Sequence, residues 1–150
     1  GARFWIQKEE MAFWTGFAGQ YAHYRMFAEA EPLADLVKLN YAGRVRLVEG
    51  ETPVAPGITA HWVGGHTAGL QVVSVETAKG PVVLTSDASH FYRNIELRDP
   101  VQIITDLPQM LRGFDRIDEL AGSPAIVVTG HDPEVAKRFD EVEPGIVKIA

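Results

Sequence analysis

The segment LQVVSVETAKGPVVLTSDASH, residues 70–90, decides the fold of this chain. It contains two apolar runs joined by the short link AKG, and this arrangement predicts a β-hairpin. The second run ends in the acid Asp87, and His90 follows three residues later. Because a buried charge is costly unless it is paired or bound to a metal, Asp87 is predicted to be either a hydrogen-bonding cap on a turn or a metal ligand.

The composition is that of a single globular domain. The chain has 150 residues, of which 46% are hydrophobic and 23% charged, and 14 Lys and Arg against 20 Asp and Glu give a net charge of -6. This charge repels phosphate backbones, so we expect no nucleic acid as a partner. No apolar stretch reaches the roughly 18 residues that span a bilayer, so we expect no membrane association and a cytoplasmic location. Because the chain has no cysteine, any metal site must use histidines and carboxylates.

The remaining segments complete a mixed pattern of helices and strands. Between Asp106 and Gly122, apolar residues recur every three or four positions, which predicts an amphipathic helix. Shorter helices are predicted from Pro32 to Gly43 and from Pro133 onward. Helices mixed with hairpin strands predict an α/β (α+β) fold with helices over a mainly antiparallel sheet. Further strands are predicted at residues 3–7, 44–50, 58–63, 125–131 and 145–150.

Three polar side chains each follow an apolar strand: His66 after ITAHWVGG, Asp87 after PVVLTS and His131 after AIVVTG. Strand ends converge along one rim of a sheet, so residues in these loops can meet. Two imidazoles and a carboxylate are typical zinc ligands, and Gly65 and Gly130 allow the backbone to turn sharply near an ion. Each residue taken alone is also explained as a hydrogen-bonded turn residue, so both interpretations stay open at this point.

A serine nucleophile is the other chemistry that this region suggests, since Ser86 lies next to Asp87 and close to His90. A nucleophile elbow requires Gly-x-Ser-x-Gly at a turn from strand to helix. The segment LTSDASH contains no glycine, and we therefore set the serine mechanism aside.

The motifs GGHTAG, LTSDASHFY and VVTGHDP, in this order, resemble those of the metallo-β-lactamase superfamily, and most closely those of its N-acyl homoserine lactonase branch. The resemblance extends to RVRLVEGETPVAPGI and to ITDLPQMLRGFDRIDELAG. It implies the C-terminal part of an αββα sandwich with a dinuclear site between its two halves. It further implies that His66 binds the first metal, His131 binds the second and Asp87 bridges both. We expect the two divalent ions to be Zn²⁺.

The function implied by the resemblance is a metal-dependent hydrolase that opens a small-molecule lactone by means of hydroxide generated at the metals. Many lactonases of this branch carry a tyrosine three residues after the bridging aspartate. Here that position is His90, and a tyrosine follows at Tyr92. Either residue can stabilise the developing oxyanion. The alternatives are another hydrolase of the superfamily, such as a thioesterase of the glyoxalase II kind or a phosphodiesterase, and a fragment without catalytic activity.

The first motif of the superfamily, His-x-His-x-Asp-His, does not occur in the 150 residues. The chain also begins without methionine and enters directly into RFWIQ, which alternates like a strand. These features predict that residues 1–150 form a single, incomplete domain that lacks its N-terminal half. We therefore expect these residues alone to bind metal weakly.

The first 27 residues are rich in aromatic side chains. We expect them to line an acyl-chain pocket, to form a homodimer interface or, at least as commonly, to pack in an ordinary core. His61 is interpreted as structural, and Glu9 and Glu10 as a solvated strand end. The aromatic residues are Phe4, Trp5, Phe13, Trp14, Phe17, Tyr21, Tyr24 and Phe27.

Overall fold

The hairpin predicted at residues 70–90 lies at the centre of the fold. In the computed structural model, which describes residues 1–123 and 126–150, strand β5 (Gln71–Thr77) pairs antiparallel with strand β6 (Gly80–Leu84). Val75 lies opposite Val82, and Thr77 lies opposite Gly80 at the turn. The hairpin prediction is confirmed.

Three further strands extend the hairpin into a five-stranded sheet of order β3-β4-β5-β6-β7. These are β3 (Glu51–Ala55), β4 (Ile58–Trp62) and β7 (Ile126–Val128). Their neighbours are antiparallel except for β7, which runs parallel to β6. Because parallel strands end at the same edge of a sheet, the loops that follow β6 and β7 lie side by side. Residue 125, where the strand before His131 is predicted to begin, lies outside the described residues.

Helix α5 (Leu107–Ala121) covers one face of this sheet and closes the core. The side chain of Asp106 caps its first turn by accepting a hydrogen bond from the backbone N–H of Gln109. The predicted amphipathic helix is confirmed: its buried residues pack in one cluster with Val72 of β5 and Val83 of β6. The buried core residues are Val63, Val72, Val83, Ala88, Met110, Phe114, Ile117 and Ala121.

A two-stranded parallel sheet, β1 (Phe4–Gln7) with β2 (Val45–Val48), joins the larger sheet through a buried glutamine. The Gln7 side-chain amide donates to the backbone oxygen of Gly50 and to the Oε1 atom of Gln71 on β5. Helix α3 (Ala30–Tyr41) is the last of the helices between β1 and β2. It begins two residues before Pro32, the predicted first position, and the chain turns at Gly43 with φ +68°.

The other helices are short. Residues 8–25 form a succession of short, irregular helices, and the stretch contains Gly16 and Gly19, which lower helix propensity. Helix α6 begins two residues later than predicted, and the C-terminal strand β9 pairs with β8, which the sequence pattern did not reveal. Among the described helices, none is long and apolar enough to cross a bilayer. The bounds are α1 (Lys8–Ala12), a π-helix (Phe13–Phe17), a 3-10 helix (Ala18–Gln20), α2 (Ala22–Arg25), a 3-10 turn (Ser86–Ala88), α4 (Tyr92–Leu97), α6 (Val135–Arg138), β8 (Asp140–Glu143) and β9 (Ile146–Lys148).

Candidate metal centre

The loops after β4, β6 and β7 bring three histidines and an aspartate to one cavity. His66 follows β4, Asp87 lies in the 3-10 turn after β6 with His90 just beyond it, and His131 follows β7. All four line a cavity of about 360 Å³. The expectation that these strand ends meet is therefore correct, and its cause is that β4, β6 and β7 run in the same direction.

The two carboxylate oxygens of Asp87 face different imidazoles. Its Oδ1 atom lies 2.7 Å from Nε2 of His131, and its Oδ2 atom lies 3.8 Å from Nε2 of His66. A carboxylate that bridges two cations offers one oxygen to each of them. Imidazole and carboxylate donors suit a divalent metal. Because Oδ1 of Asp87 and Nε2 of His131 are in direct hydrogen-bond contact, an ion held by both would have to separate these two atoms.

The ring of His66 is oriented by the backbone. Its Nδ1–H donates to the carbonyl oxygen of Ile103, and the side chain is mostly buried. A hydrogen bond from one ring nitrogen to a carbonyl fixes the tautomer and leaves the other nitrogen free as a ligand, which is the usual arrangement of a metal-binding histidine. In His66 that free nitrogen is Nε2, the atom that faces Asp87.

His90 lies closer to the cluster than a purely substrate-facing residue requires. Its Nε2 atom is 3.7 Å from Oδ1 of Asp87, and its ring stacks on that of His131 with centroids 4.7 Å apart. Ligand atoms of Asp87, His90 and His131 all lie within 4.8 Å of one another. His90 can therefore act as a ligand or as a donor to a substrate held by the other three residues.

Burial lowers the pKa of His90 below its ordinary value, and the nearby rings of His131 and His66 lower it further, while Asp87 opposes the shift. The sign follows from desolvation, which disfavours the charged imidazolium. His90 is therefore neutral near pH 7. Its Nδ1 atom is buried and has no hydrogen-bond partner among the described residues.

Tyr92, the other residue predicted to contact the substrate, points elsewhere. Its buried hydroxyl donates to the carbonyl oxygen of Val127, and the guanidinium of Arg138 lies 3.5 Å from its ring centroid. The ring lines a different cavity, together with Ile95 and Arg138. Burial raises the pKa of the Tyr92 phenol. Of the two candidates, the structure places His90 at the cavity of the cluster and Tyr92 in the packing of α4 against β7.

Gly65 and Gly130 allow close packing of their loops, and Gly65 turns the backbone with φ +90°, while the predicted approach of these loops to an ion stays a prediction. A Cβ atom on Gly65 would lie 2.5 Å from Cα of Met110, and one on Gly130 would lie 2.6 Å from the carbonyl oxygen of Ser86. The two glycines let their loops pack directly on helix α5 and on the turn that carries Asp87. Ser86 itself has φ +48°, a left-handed conformation that stores strain next to the central carboxylate.

Two other histidines lie outside the cluster. His61 is buried, and its ring nitrogens make hydrogen bonds with Oε2 of Glu51 and Oγ of Ser74, in agreement with the structural interpretation. His23 is exposed on α2 and packs edge-on against Tyr24 and Phe27.

The aromatic residues of the segment 8–27 do not form an ordinary core. Phe17 is 51% exposed, and Ala18 is the buried residue of the helices in this segment. Trp14 and Phe27 line the cavity of the histidine cluster. The aromatic side chains therefore form a surface beside the candidate site. Their role in binding an acyl chain or a second copy stays a prediction.

Glu10 was missed by sequence reasoning, which assigned it to a solvated strand end. The structure places it at the cavity, where its carboxylate accepts hydrogen bonds from Trp14, Thr67 and Gly69. Two of these partners are 57 and 59 residues away in the chain. No local pattern in the sequence could have revealed contacts at that separation.

The chain matches no protein-family model. An N-acyl homoserine lactonase from a Bacillus species is 38% identical over 101 residues, which are 66% of this chain and 38% of that protein. A solved N-acyl homoserine lactone hydrolase, with the product N-hexanoyl-L-homoserine bound at its catalytic metal centre, is 28% identical with a TM-score of 0.72 over 93% of this chain and 50% of that one. A Bacillus thuringiensis AiiA variant with N-decanoyl-L-homoserine at its active site is 27% identical with a TM-score of 0.75 over 96% of this chain and 52% of that one.

These similarities confirm the resemblance to N-acyl homoserine lactonases and the predicted fold class. The helices and strands of the chain match those of solved lactonases with the metallo-β-lactamase fold over nearly the whole of its length. The chain spans about two fifths of the length of the curated lactonases and about half of the solved ones. It thus corresponds to a part of the fold of these relatives.

Proposed function

We propose that this chain is part of a metal-dependent hydrolase that opens the ring of a lactone of the N-acyl homoserine lactone kind. The observation that carries the proposal is the meeting of His66, Asp87 and His131 at one cavity, with each oxygen of Asp87 directed at a different imidazole. The similarity to lactonases, one of which holds a hydrolysis product at a metal centre, supports the choice of substrate class.

The ligands that we assign are His66 and Asp87 for one ion and Asp87 and His131 for the other. Imidazole and carboxylate groups without thiolate suit Zn²⁺, and we propose two zinc ions. When bound, such ions supply Lewis acidity and lower the pKa of coordinated water toward neutrality.

The chain's own residues are assigned two further roles, stabilisation of the developing oxyanion and binding of the acyl group. Hydrolysis adds a water oxygen to the lactone carbonyl carbon, breaks the ring C–O bond and places a proton on the released ring oxygen, which gives a hydroxy acid. His90, neutral at pH 7, is assigned as the N–H donor to the carbonyl oxygen as charge develops there. The apolar side chains of Trp14, Phe27 and Leu70 line the same cavity. They are assigned to the acyl group and to the exclusion of water.

The 150 residues supply a part of the ligand set. The His-x-His-x-Asp-His motif of the superfamily is not in this sequence, and the chain covers 38% of the length of a curated lactonase. We therefore assign the activity to a protein that contains these residues together with the other half of the sandwich. The 150 residues by themselves should hold zinc weakly.

Zinc content and substrate turnover test this proposal. We expect little tightly bound zinc, measured by elemental analysis, in the 150-residue protein. A form that carries the first motif should bind two ions per chain and hydrolyse N-acyl homoserine lactones. A form that binds two ions and cleaves thioesters or phosphodiesters but no lactone would replace the proposed substrate with one of those classes.

A pair of histidine variants supplies the control. In the form that carries the first motif, His131→Ala should lose one zinc ion per chain and lactone hydrolysis, because the second ion then lacks the imidazole of His131. His23→Ala, which removes an exposed imidazole on α2, should retain both. Full zinc content and activity in His131→Ala would contradict the ligand assignment.

A further inference from the structure

Glu10 joins the N-terminal segment to the loop that carries His66. Its Oε2 atom accepts hydrogen bonds from Oγ1 of Thr67 and from the backbone N–H of Gly69, both at 2.7 Å. Its Oε1 atom accepts one from Nε1 of Trp14, also at 2.7 Å. A single carboxylate thus contacts both the loop of His66 and one wall of the cavity.

The backbones at this junction are in direct contact. A Cβ atom on Gly69 would lie 2.3 Å from the backbone nitrogen of Glu10, so the loop fits against helix α1 only because residue 69 is glycine. The loop also contains two glycines in left-handed conformations, Gly64 with φ +64° and Gly65 with φ +90°. A glycine-rich loop loses more entropy on ordering than other loops do. Hydrogen bonds from outside hold it at two places: Thr105 and Asp106 donate to the carbonyl oxygen of Gly65, and Glu10 accepts from Thr67 and Gly69.

We propose that Glu10 is a positioning residue for the metal centre. Through Thr67 and Gly69 it fixes the loop so that Nε2 of His66 faces Asp87, and through Trp14 it holds the indole plane against the cavity. The indole N–H is satisfied by this bond, so Trp14 presents an apolar surface to whatever enters. This inference rests on the proposed metal site, and it assigns Glu10 a role in positioning the loop of His66, not a role as a ligand.

Five forms of the protein test the inference: wild type, Glu9→Ala, Glu10→Ala, Glu10→Gln and Thr67→Val. Glu9→Ala is the matched control, because it removes one negative charge from an exposed position on the same helix. In Glu10→Gln the amide oxygen can still accept from Thr67 and Gly69, whereas its NH₂ group faces the N–H of Trp14 and cannot accept from it. The variant therefore distinguishes the effect of the two bonds to the loop from the effect of the bond to the Trp14 indole.

The measurements are zinc affinity, by competition with a chromogenic chelator, and the exchange rate of the Gly69 amide proton. Loss of groups that orient metal ligands typically weakens metal binding by about 10- to 100-fold. We expect a loss of this size in Glu10→Ala, together with faster Gly69 exchange. Glu9→Ala should match wild type in both measurements, and Glu10→Gln should recover most of the affinity and the protection of Gly69.

Thr67→Val keeps the test valid if Glu10→Ala does not fold. It removes one of the two bonds to the loop, and we expect about threefold weaker zinc binding, the equivalent of one ordinary hydrogen bond. Zinc affinity and Gly69 exchange equal to those of Glu9→Ala, in Glu10→Ala or in Thr67→Val, would overturn the inference. These measurements use the form that carries the first motif, because the 150 residues alone should hold zinc weakly. Failure of that wild type to bind zinc would overturn the metal site instead, and Gly69 exchange would then still report on the loop.

Discussion

The five-stranded sheet with helix α5 and the segment of residues 8–27 hold their apolar side chains in opposite ways. Phe114 on α5 is fully buried between the helix and the sheet, while Phe17 in the segment is 51% exposed. The aromatic rings of the segment contact mainly one another, as in the edge-on pair of Phe13 and Tyr24, 5.1 Å apart.

This difference shows that the two regions stay in place for different reasons. Burial of apolar area stabilises the sheet and α5, and it requires close packing on all sides. The segment gains little burial. Its position beside the cavity depends on polar contacts such as those of Glu10. The candidate site lies where the two regions meet, with its histidines and Asp87 from the loops that follow the strands and an apolar wall from the segment.

The largest expected effect is the loss of unfolding free energy when a core side chain is truncated. Phe114→Ala should lower the free energy of unfolding by about 3–5 kcal/mol, because it leaves a cavity in a fully buried position. Phe17→Ala should cost about 1 kcal/mol, the scale of one aromatic pair. Chemical denaturation followed by circular dichroism measures both. Equal losses in the two variants would contradict the distinction between a packed and an exposed region.

The next largest effect is on kcat, and it distinguishes the role of His90 from that of Tyr92. In a form of the protein with lactonase activity, His90→Phe should lower kcat by about 100-fold, the usual loss when one donor to a developing oxyanion is removed. Tyr92→Phe should leave kcat unchanged and cost about 1 kcal/mol of stability, because it removes the bond to Val127. A larger loss of kcat in Tyr92→Phe than in His90→Phe would reverse the assignment.

The sheet could be predicted from the sequence because its determinants are local. The apolar runs that form β5 and β6 are separated by a recognisable turn, and the repeat of apolar residues on α5 follows the helical period. Strand ends are visible in the sequence, so the side chains that follow them, His66, Asp87 and His131, could be grouped by their shared position after an apolar run.

Two kinds of contact could not be predicted from the sequence: those that join residues distant in the chain, and those that depend on the direction in which a side chain points. Aromatic composition alone does not distinguish a core from an exposed surface, and residues 13–27 have no clear periodicity. Glu10 meets Thr67 only after the sheet of β1 and β2 has been placed against the start of β5. Tyr92 follows His90 by two residues, but helix α4 begins there and turns the phenol toward β7 and away from the cavity.

A smaller effect is expected at the loop of His131. Gly130→Ala should cost about 1–3 kcal/mol, because the new Cβ atom would lie 2.6 Å from the carbonyl oxygen of Ser86 and force a shift in one of the loops. Gly113→Ala on α5 is the control, since its Cβ atom would lie 3.6 Å from the Val63 side chain in ordinary contact. Thermal unfolding compares the two, and a cost for Gly113→Ala equal to that for Gly130→Ala would contradict the steric argument.

The smallest effect tests whether the segment unfolds together with the sheet. Gly16 lies in the π-helix, and a Cβ atom there would meet nothing within 4 Å. Gly16→Ala should therefore raise the free energy of unfolding by about 0.4–1 kcal/mol, since alanine restricts the unfolded chain more than glycine does.

Gly43→Ala is the matched control for this last substitution. A Cβ atom at residue 43 would also meet open space, but its φ is +68°, where a side chain costs about 1–2 kcal/mol. The two substitutions should therefore change stability in opposite directions. If Gly43→Ala lowers the stability as expected while Gly16→Ala changes nothing, the segment unfolds separately from the sheet, and the polar contacts of Glu10 do not couple the two regions.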